Sequence, residues 1–199
     1  LPSQSTSLNV EFVSVNPNGP ITVGSGRGAA YGDCLSRVLT YSGNQVDREY
    51  YINDGINSEQ MRLFGESVRY YYLQDLGLPS EFPEKGYKGD YVADVAKAVA
   101  AKYGGGHAKE EGGWFQKVSQ ELMIERQKGD LALFGVNFTT WFSEQSLHDG
   151  GMVTRTIEKI TKAGNADTKP VQNVNQDRDL EPGAYPQEEG ATWLRSAQF

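Results

Sequence analysis

The fold is decided by the stretch Val10-Glu11-Phe12-Val13-Ser14-Val15-Asn16-Pro17-Asn18-Gly19-Pro20-Ile21-Thr22-Val23-Gly24-Ser25-Gly26-Arg27-Gly28. Its opening, Asn9 to Val15, is a short run of apolar, β-branched and aromatic residues, which predicts a strand. Asn16 to Pro20 then breaks the chain, because two prolines and a glycine deny it both helix and ladder. Gly24 to Gly28 predicts a glycine-rich loop, followed by a helix over Ala29–Ser42 with Gly43-Asn44 as its stop. In that helix Cys34, Leu35, Val38 and Tyr41 share one face at helical spacing and are expected to point inward. Gly24-Ser25-Gly26-Arg27-Gly28-Ala29 also satisfies the pattern G-x-G-x-x-G/A, whose glycines let a backbone approach a pyrophosphate. That pattern needs an acid at the end of the next strand. Asp47 lies near that strand's start and Asp54 falls late, so a tight structural turn is the competing reading of the glycines.

Downstream, Val46, Arg48, Tyr50 and Ile52 share one side of a second strand. Asn53-Asp54-Gly55 forms a turn, and Asn57 with Gln60 has the spacing of a capping box. Met61, Phe64, Val68, Tyr71 and Leu76 trace the buried stripe of the next helix, with Pro79 beyond it. Strand, glycine loop, helix, strand and helix open a parallel α/β sheet. Two further helices are predicted over Tyr91–Tyr103 and Trp114–Lys128, a short aromatic strand over Phe138–Phe142, and a helix over Met152–Ala163 with Val153, Ile157 and Ile160 inward. Asn165 to Gly190 is polar and expected to form a long loop, with a last strand over Ala191–Ser196. The organisation expected is therefore three segments: 1–76, the first half of a nucleotide-binding domain; 77–164, a largely helical insertion with a short strand; and 165–199, a polar loop and terminal strand.

Composition narrows the function. The 199 residues are 38% hydrophobic and 23% charged, with a net charge of -7. This suits one soluble domain with its own core, and the acidic balance argues against a broad phosphate-binding face. No apolar run approaches the roughly 20 residues a membrane span needs, and Leu1–Ser7 lacks the features of a signal peptide. Cys34 is the single cysteine, so no internal disulfide forms, and its neighbours offer no cation to stabilise a thiolate, which favours a buried structural role. A cytoplasmic location is expected. His107 and His148 stand apart without cysteine neighbours, so zinc is not expected, and Ser25 has no spaced histidine and acid for a nucleophilic triad. Tyr70, Tyr71 and Tyr72 and the three tryptophans read as packing residues, and Glu110-Glu111 as a solvated pair.

The opening stretch resembles the first motif of class I arginyl-tRNA synthetases, approximately VEFVSANPTGPLHVGHGRG. The likeness continues through Gly32-Asp33, Arg37 and Arg48–Asp54, through Tyr87–Ala96, and through Trp141–Leu147 and Ala191–Phe199. It implies the first half of a class I synthetase nucleotide-binding, Rossmann-like parallel sheet. It also implies arginine-tRNA ligase activity, in which ATP activates arginine and the arginyl group passes to tRNA. By the same resemblance Glu11, Ser14 and Asn16 line the arginine pocket, a carboxylate suiting a guanidinium through paired charge-assisted bonds. Gly24, Gly26 and Arg27 face ATP, with Mg2+ as its counter-ion, and the helix start directs positive charge at phosphate. Thr22 and Ser25 occupy the positions of the family's two histidines. Hydroxyls still donate hydrogen bonds but never become cationic. No lysine-bearing KMSKS-type stretch is present, and tRNA contacts are expected from regions outside these residues. Three functions compete: a partial catalytic domain of reduced activity; a degenerate, non-catalytic nucleotide- or arginine-binding module; and, on the glycine pattern alone, a nicotinamide-dependent oxidoreductase.

Overall fold

A computed structural model describes residues 5–55, 57–167 and 193–194. Three strands, β1 (Ser7–Glu11), β2 (Gln45–Ile52) and β3 (Thr140–Ser143), form a sheet in the order β1-β2-β3. Both pairings are parallel, with Ser7 opposite Gln45, Glu11 opposite Glu49 and Ile52 opposite Ser143. Parallel neighbours require crossovers, and the chain supplies them as helices. α1 (Val23–Tyr41) joins β1 to β2, and α2 (Glu59–Asp75), α3 (Asp90–Tyr103) and α4 (Gly112–Leu133) lie between β2 and β3. The fold is thus the α/β parallel sheet with helical insertion that the sequence implies.

The chain divides into two compact units, 1–145 and 146–199. α5 (Gln145–Asp149) crosses that boundary. The second unit holds α6 (Met152–Lys162) and an antiparallel pair of β4 (Ala166–Asp167) with β5 (Trp193–Leu194). Beyond Asp167 the expected polar loop lies outside the described residues, as does the rest of the expected strand over 191–196.

Two apolar clusters make the first unit's core. In one, Phe64, Val68 and Tyr72 of α2 pack on Val92 and Val99 of α3 and on Phe115 and Met123 of α4. In the other, Tyr50 and Ile52 of β2 meet Ala29 of α1 and Leu131 of α4, with Phe12, Phe138 and Trp141 at the margin. Phe138, expected to begin the third strand, instead precedes it and places its ring 4.5 Å from that of Phe12.

Several expectations are corrected. The inward face of α1 is Ala29, Gly32, Asp33 and Ser36. Cys34 is exposed, and Val38 and Tyr41 are 61% and 88% exposed. A Cβ on Gly32 would sit 2.3 Å from the Phe12 ring, so only glycine lets α1 lie this close to β1. Asp33 adds ion pairs to Arg37 and to Arg48 of β2, each 2.6 Å. Small and charged groups, rather than apolar periodicity, thus choose which side of α1 faces in. The cap of α2 is Ser58 and makes no side-chain capping bond, while Gln60 is used elsewhere, as described below. Leu76 is 40% exposed and Tyr71 half-buried. No residue of α6 is buried.

Gly65 makes the closest helix crossing: its Cβ would lie 2.5 Å from the backbone of Gln116 in α4. Gly65→Ala is therefore expected to destabilise the fold by about 1–3 kcal/mol, read as a lower urea midpoint. Gly129→Ala in α4, where nothing lies within 4 Å, is the control and should be neutral or slightly stabilising.

Candidate functional site

β1 ends sooner than its composition suggests. Phe12 N–H still donates to Glu49 O at 3.2 Å, but Val13 and Ser14 follow with φ of 68° and 42°. A β-branched residue at positive φ is a rare conformation, costing on the order of 1–3 kcal/mol. The turn lifts the chain out of the sheet, and the Ser14 hydroxyl takes over as acceptor from Tyr51 N–H at 3.1 Å. Ser14, expected at an arginine pocket, thus has its Oγ committed to ending the ladder.

Residues 14–19 then run without regular structure, and their carbonyls are met by side chains. Asn53 Nδ2 donates to Ser14 O at 3.2 Å, and the Tyr50 hydroxyl to Val15 O at 3.1 Å. Gln127 Nε2 donates to Asn16 O at 3.2 Å and to Gly19 O at 2.8 Å. The Tyr91 hydroxyl donates to Asn18 O at 2.9 Å. Buried carbonyls without partners cost about as much as a lost hydrogen bond, so this set of donors is what permits an irregular segment here. Asn18 Nδ2 also donates to the Tyr87 hydroxyl at 2.8 Å, and Asn16 Nδ2 to Gln60 Oε1 at 2.6 Å. Sequence reasoning placed Asn16 in the segment but missed Tyr50 and Gln127. The available signal was a lone glutamine between Ile124 and Leu131 on the inward stripe of α4.

The expected glycine loop is helical. α1 begins at Val23, capped by Thr22, and Gly26 N–H already donates to Thr22 O at 2.8 Å. The capping oxygen of Thr22 accepts from Ser25 N–H at 3.2 Å, and the two hydroxyls are 3.0 Å apart. A residue that caps the helix from Thr22 leaves no need for a separate turn, which is why the glycines continue the helix. They also stand free of packing. A Cβ on Gly26 or Gly28 would meet nothing within 4 Å, and one on Gly24 only Thr22 Oγ1 at 3.7 Å. Each glycine in a helix interior costs about 1 kcal/mol against alanine, and nothing in the protein's own packing asks for these three. Thr22, Gly24, Ser25, Gly26 and Arg27 therefore come together at one helix start, with Ser14 and Asn16 on the segment that leads to it and Glu11 at the end of β1.

Acids gather at the carboxyl ends of the strands. Asp54 accepts from the Ser143 hydroxyl at 2.7 Å and from Gln145 N–H at 3.0 Å, tying the ends of β2 and β3 together. Burial first, and then the charges of Glu144, Asp54 and Glu11, push the Tyr51 hydroxyl upward in pKa. Three carboxylates, Glu11, Asp54 and Glu144, thus lie close enough to Tyr51 for their charge to be felt there. Asp47 is occupied by the hydroxyls of Thr139 and Thr140. Neither Asp47 nor Asp54 is thus placed as a ribose acceptor beside a glycine turn. Among the described residues no group of three or more His, Cys, Asp or Glu side chains is arranged to hold a metal.

No protein-family model matches the chain. Arginine–tRNA ligase of Geobacter sp. strain M21 is 40% identical over 196 residues, 96% of this chain and 32% of that protein. Its counterpart in Bacillus subtilis is 36% identical over the same share of both. A solved arginyl-tRNA synthetase from Campylobacter jejuni superposes with a TM-score of 0.75 at 30% identity, covering 98% of this chain and 39% of that one. The Thermus thermophilus enzyme, at TM-score 0.56 and 22% identity, shares the fold. A parallel sheet whose first strand passes through a strained turn into a glycine-rich helix start is the Rossmann-like fold of class I aminoacyl-tRNA synthetases. Within that class the sequence relatives are uniform: the chain belongs to the arginyl-tRNA synthetase family. It spans about a third of the length of the curated relatives it matches.

Burial pushes the Tyr50 hydroxyl up to about 12. Its pKa is higher folded than unfolded, so the folded state holds the extra proton between pH 10 and 12. The corresponding stability is fully present below pH 10 and lost as pH rises through about 12, a contribution of roughly 2–3 kcal/mol. Unfolding midpoints measured from pH 9 to 12 should fall for the unaltered chain and fall less steeply for Tyr50→Phe.

Proposed function

We propose that this chain carries the ATP- and arginine-facing part of an arginine–tRNA ligase, with turnover reduced by Thr22 and Ser25. The observation that supports the reading is the start of α1: Gly24, Gly26 and Gly28 lie in its first turns, where an added Cβ would meet, among the described residues, only Thr22 Oγ1. A nucleotide's adenine and phosphates fit such a surface, because backbone N–H groups and the helix dipole favour anions there. In the reaction, a carboxylate oxygen of arginine attacks the α-phosphorus of ATP and pyrophosphate leaves. Arg27, the fifth residue of α1, is the cation on this chain nearest in sequence to where that charge develops. Mg2+ arrives as the counter-ion of the phosphates. Glu11, with the acids at the carboxyl edge, supplies the negative field for the guanidinium, and Asn16 and Ser14 shape the approach. Transfer to tRNA belongs to regions outside these residues. On this reading 1–76 is the first half of the nucleotide-binding domain and 77–164 its insertion, and the protein works in the cytoplasm. No helix among the described residues is long and apolar enough to cross a membrane.

A second reading, a binding module without turnover, is favoured by one contact. Thr22 and Ser25 bond to each other at 3.0 Å, so turning either hydroxyl to phosphate breaks that bond, and turning the Thr22 hydroxyl also gives up the cap of α1. The two readings part in arginine-dependent ATP–pyrophosphate exchange, with this chain exchanged for the matching third of the Bacillus subtilis enzyme. Slow exchange that rises at least about a hundredfold with Thr22→His and Ser25→His together is the expected result. ATP binding without exchange in either form would replace the ligase reading by the binding module. Absence of both binding and exchange would reject both.

A further inference from the structure

The residues between Ser14 and Gly19 are gripped from a distance in sequence, and one side chain is central to the grip. Gln127 lies on α4 and is 1% exposed. Its amide has three hydrogen-bonding uses: two go to this segment and one to Tyr50 of β2, which itself reaches Val15 O. Nε2 carries two hydrogens, one for Asn16 O at 3.2 Å and one for Gly19 O at 2.8 Å. Oε1 is 3.2 Å from the Tyr50 hydroxyl, whose single hydrogen is shared between it and Val15 O at 3.1 Å. Tyr50 itself is 1% exposed and held on both sides, stacked at 4.4 Å on Trp141 and edge-on to Phe138 at 5.4 Å. An apolar side chain of the same size would fill the volume of Gln127 equally well. A buried glutamine with every polar atom used instead specifies one arrangement of the backbone it holds.

We propose that Gln127 is a positioning residue for the nucleotide site: through Asn16 O, Gly19 O and Tyr50 it fixes the height of residues 14–19, and thereby where Thr22 and the start of α1 stand. Pro17 and Pro20 bracket the grip. Proline fixes φ at each, and Pro17 is fully buried. A displacement at Gly19 is therefore carried along a stiff segment to the cap at Thr22 rather than absorbed. The inference rests on the reading of that helix start as the ATP site, and adds that α4 sets its geometry without touching ligand.

The test uses the 199-residue chain and two substitutions. Gln127→Leu keeps the volume and removes the amide; Tyr50→Phe keeps the ring in its stacks and removes only the hydroxyl. Two quantities are read: amide hydrogen exchange at Ser14, Val15, Asn16, Asn18 and Gly19, and equilibrium affinity for ATP. The expected result for Gln127→Leu is exchange at those amides faster by about tenfold and ATP affinity weaker by a similar factor. The melting temperature should fall modestly, because Asn16 O and Gly19 O lose their donor, and amides of α2 and α3 should change by no more than that loss of stability accounts for. Tyr50→Phe should act at the same amides by a smaller factor, and its effect should vanish in the double variant because the two groups share one network. Unchanged exchange at residues 14–19 overturns the proposal. So does a fall in melting temperature with ATP affinity of the folded protein untouched, which is what a merely structural glutamine would give. If Gln127→Leu does not fold, Tyr50→Phe decides by the same two readings. If the unaltered chain binds no ATP, the nucleotide-site reading fails by itself, and loop exchange still decides whether Gln127 holds the segment.

Discussion

A backbone that leaves its sheet must find partners for its carbonyls, and in this protein that requirement organises the site. Ser14, Val15, Asn16, Asn18 and Gly19 each present a carbonyl that neither strand nor helix satisfies, and each receives a side-chain donor. Two donors come from β2 and its following turn, one from the start of α3 and one from α4. The helical insertion is therefore not an ornament on the sheet. It completes the hydrogen bonding of the segment that turns β1 into α1, and the strained φ angles at Val13 and Ser14 persist because these bonds over-determine them.

The same logic explains how α1 is seated. Gly32 lets the helix approach Phe12, while Asp33 reaches Arg48 on the central strand. Losing Asp33 would leave the half-buried Arg48 without its ion-pair partner, which is costly, so the orientation of the helix is specified even though its inward face is nearly devoid of large apolar groups. The outward face carries Tyr31, Val38 and Tyr41 instead. With the helix fixed in this rotation, the glycines of its first turns lie where no neighbour covers them, and Thr22 caps from the end of the gripped segment.

How much of this the sequence carried depended on what kind of signal each feature leaves. The parallel sheet and five of the helices were legible, because alternation and helical period are written in apolar residues such as Phe64, Val68, Val92 and Phe115. The rotation of α1 was not, since Cys34, Leu35, Val38 and Tyr41 imitate a buried stripe while Gly32, Asp33 and Ser36 do the packing. The helical state of Gly24–Gly28 was hidden because glycine reads as a loop breaker, and the decisive fact was a cap at Thr22, two residues upstream. Asn16 and Ser14 were placed in the right segment by resemblance, but their partners Gln60 and Tyr51 lie far along the chain. Gln127 is the plainest case: a contact spanning 111 residues to Asn16 leaves no local trace that sets it apart from Gln116, Ser119 and Gln120, the other buried polar residues of α4.

The donors of the grip address backbone oxygens, and that choice separates shape from chemistry. Every residue type offers the same carbonyl, so the side chain at Val15 can change without loosening the segment, whereas Asn16 and Asn18 also tie it down through Gln60 and Tyr87. A lineage could alter what faces a ligand here, one substitution at a time, while Tyr50, Tyr91 and Gln127 keep the path of the chain constant. Freedom to vary and constancy of form are assigned to different residues, and the constant ones sit outside the Val10–Gly28 stretch whose path they hold.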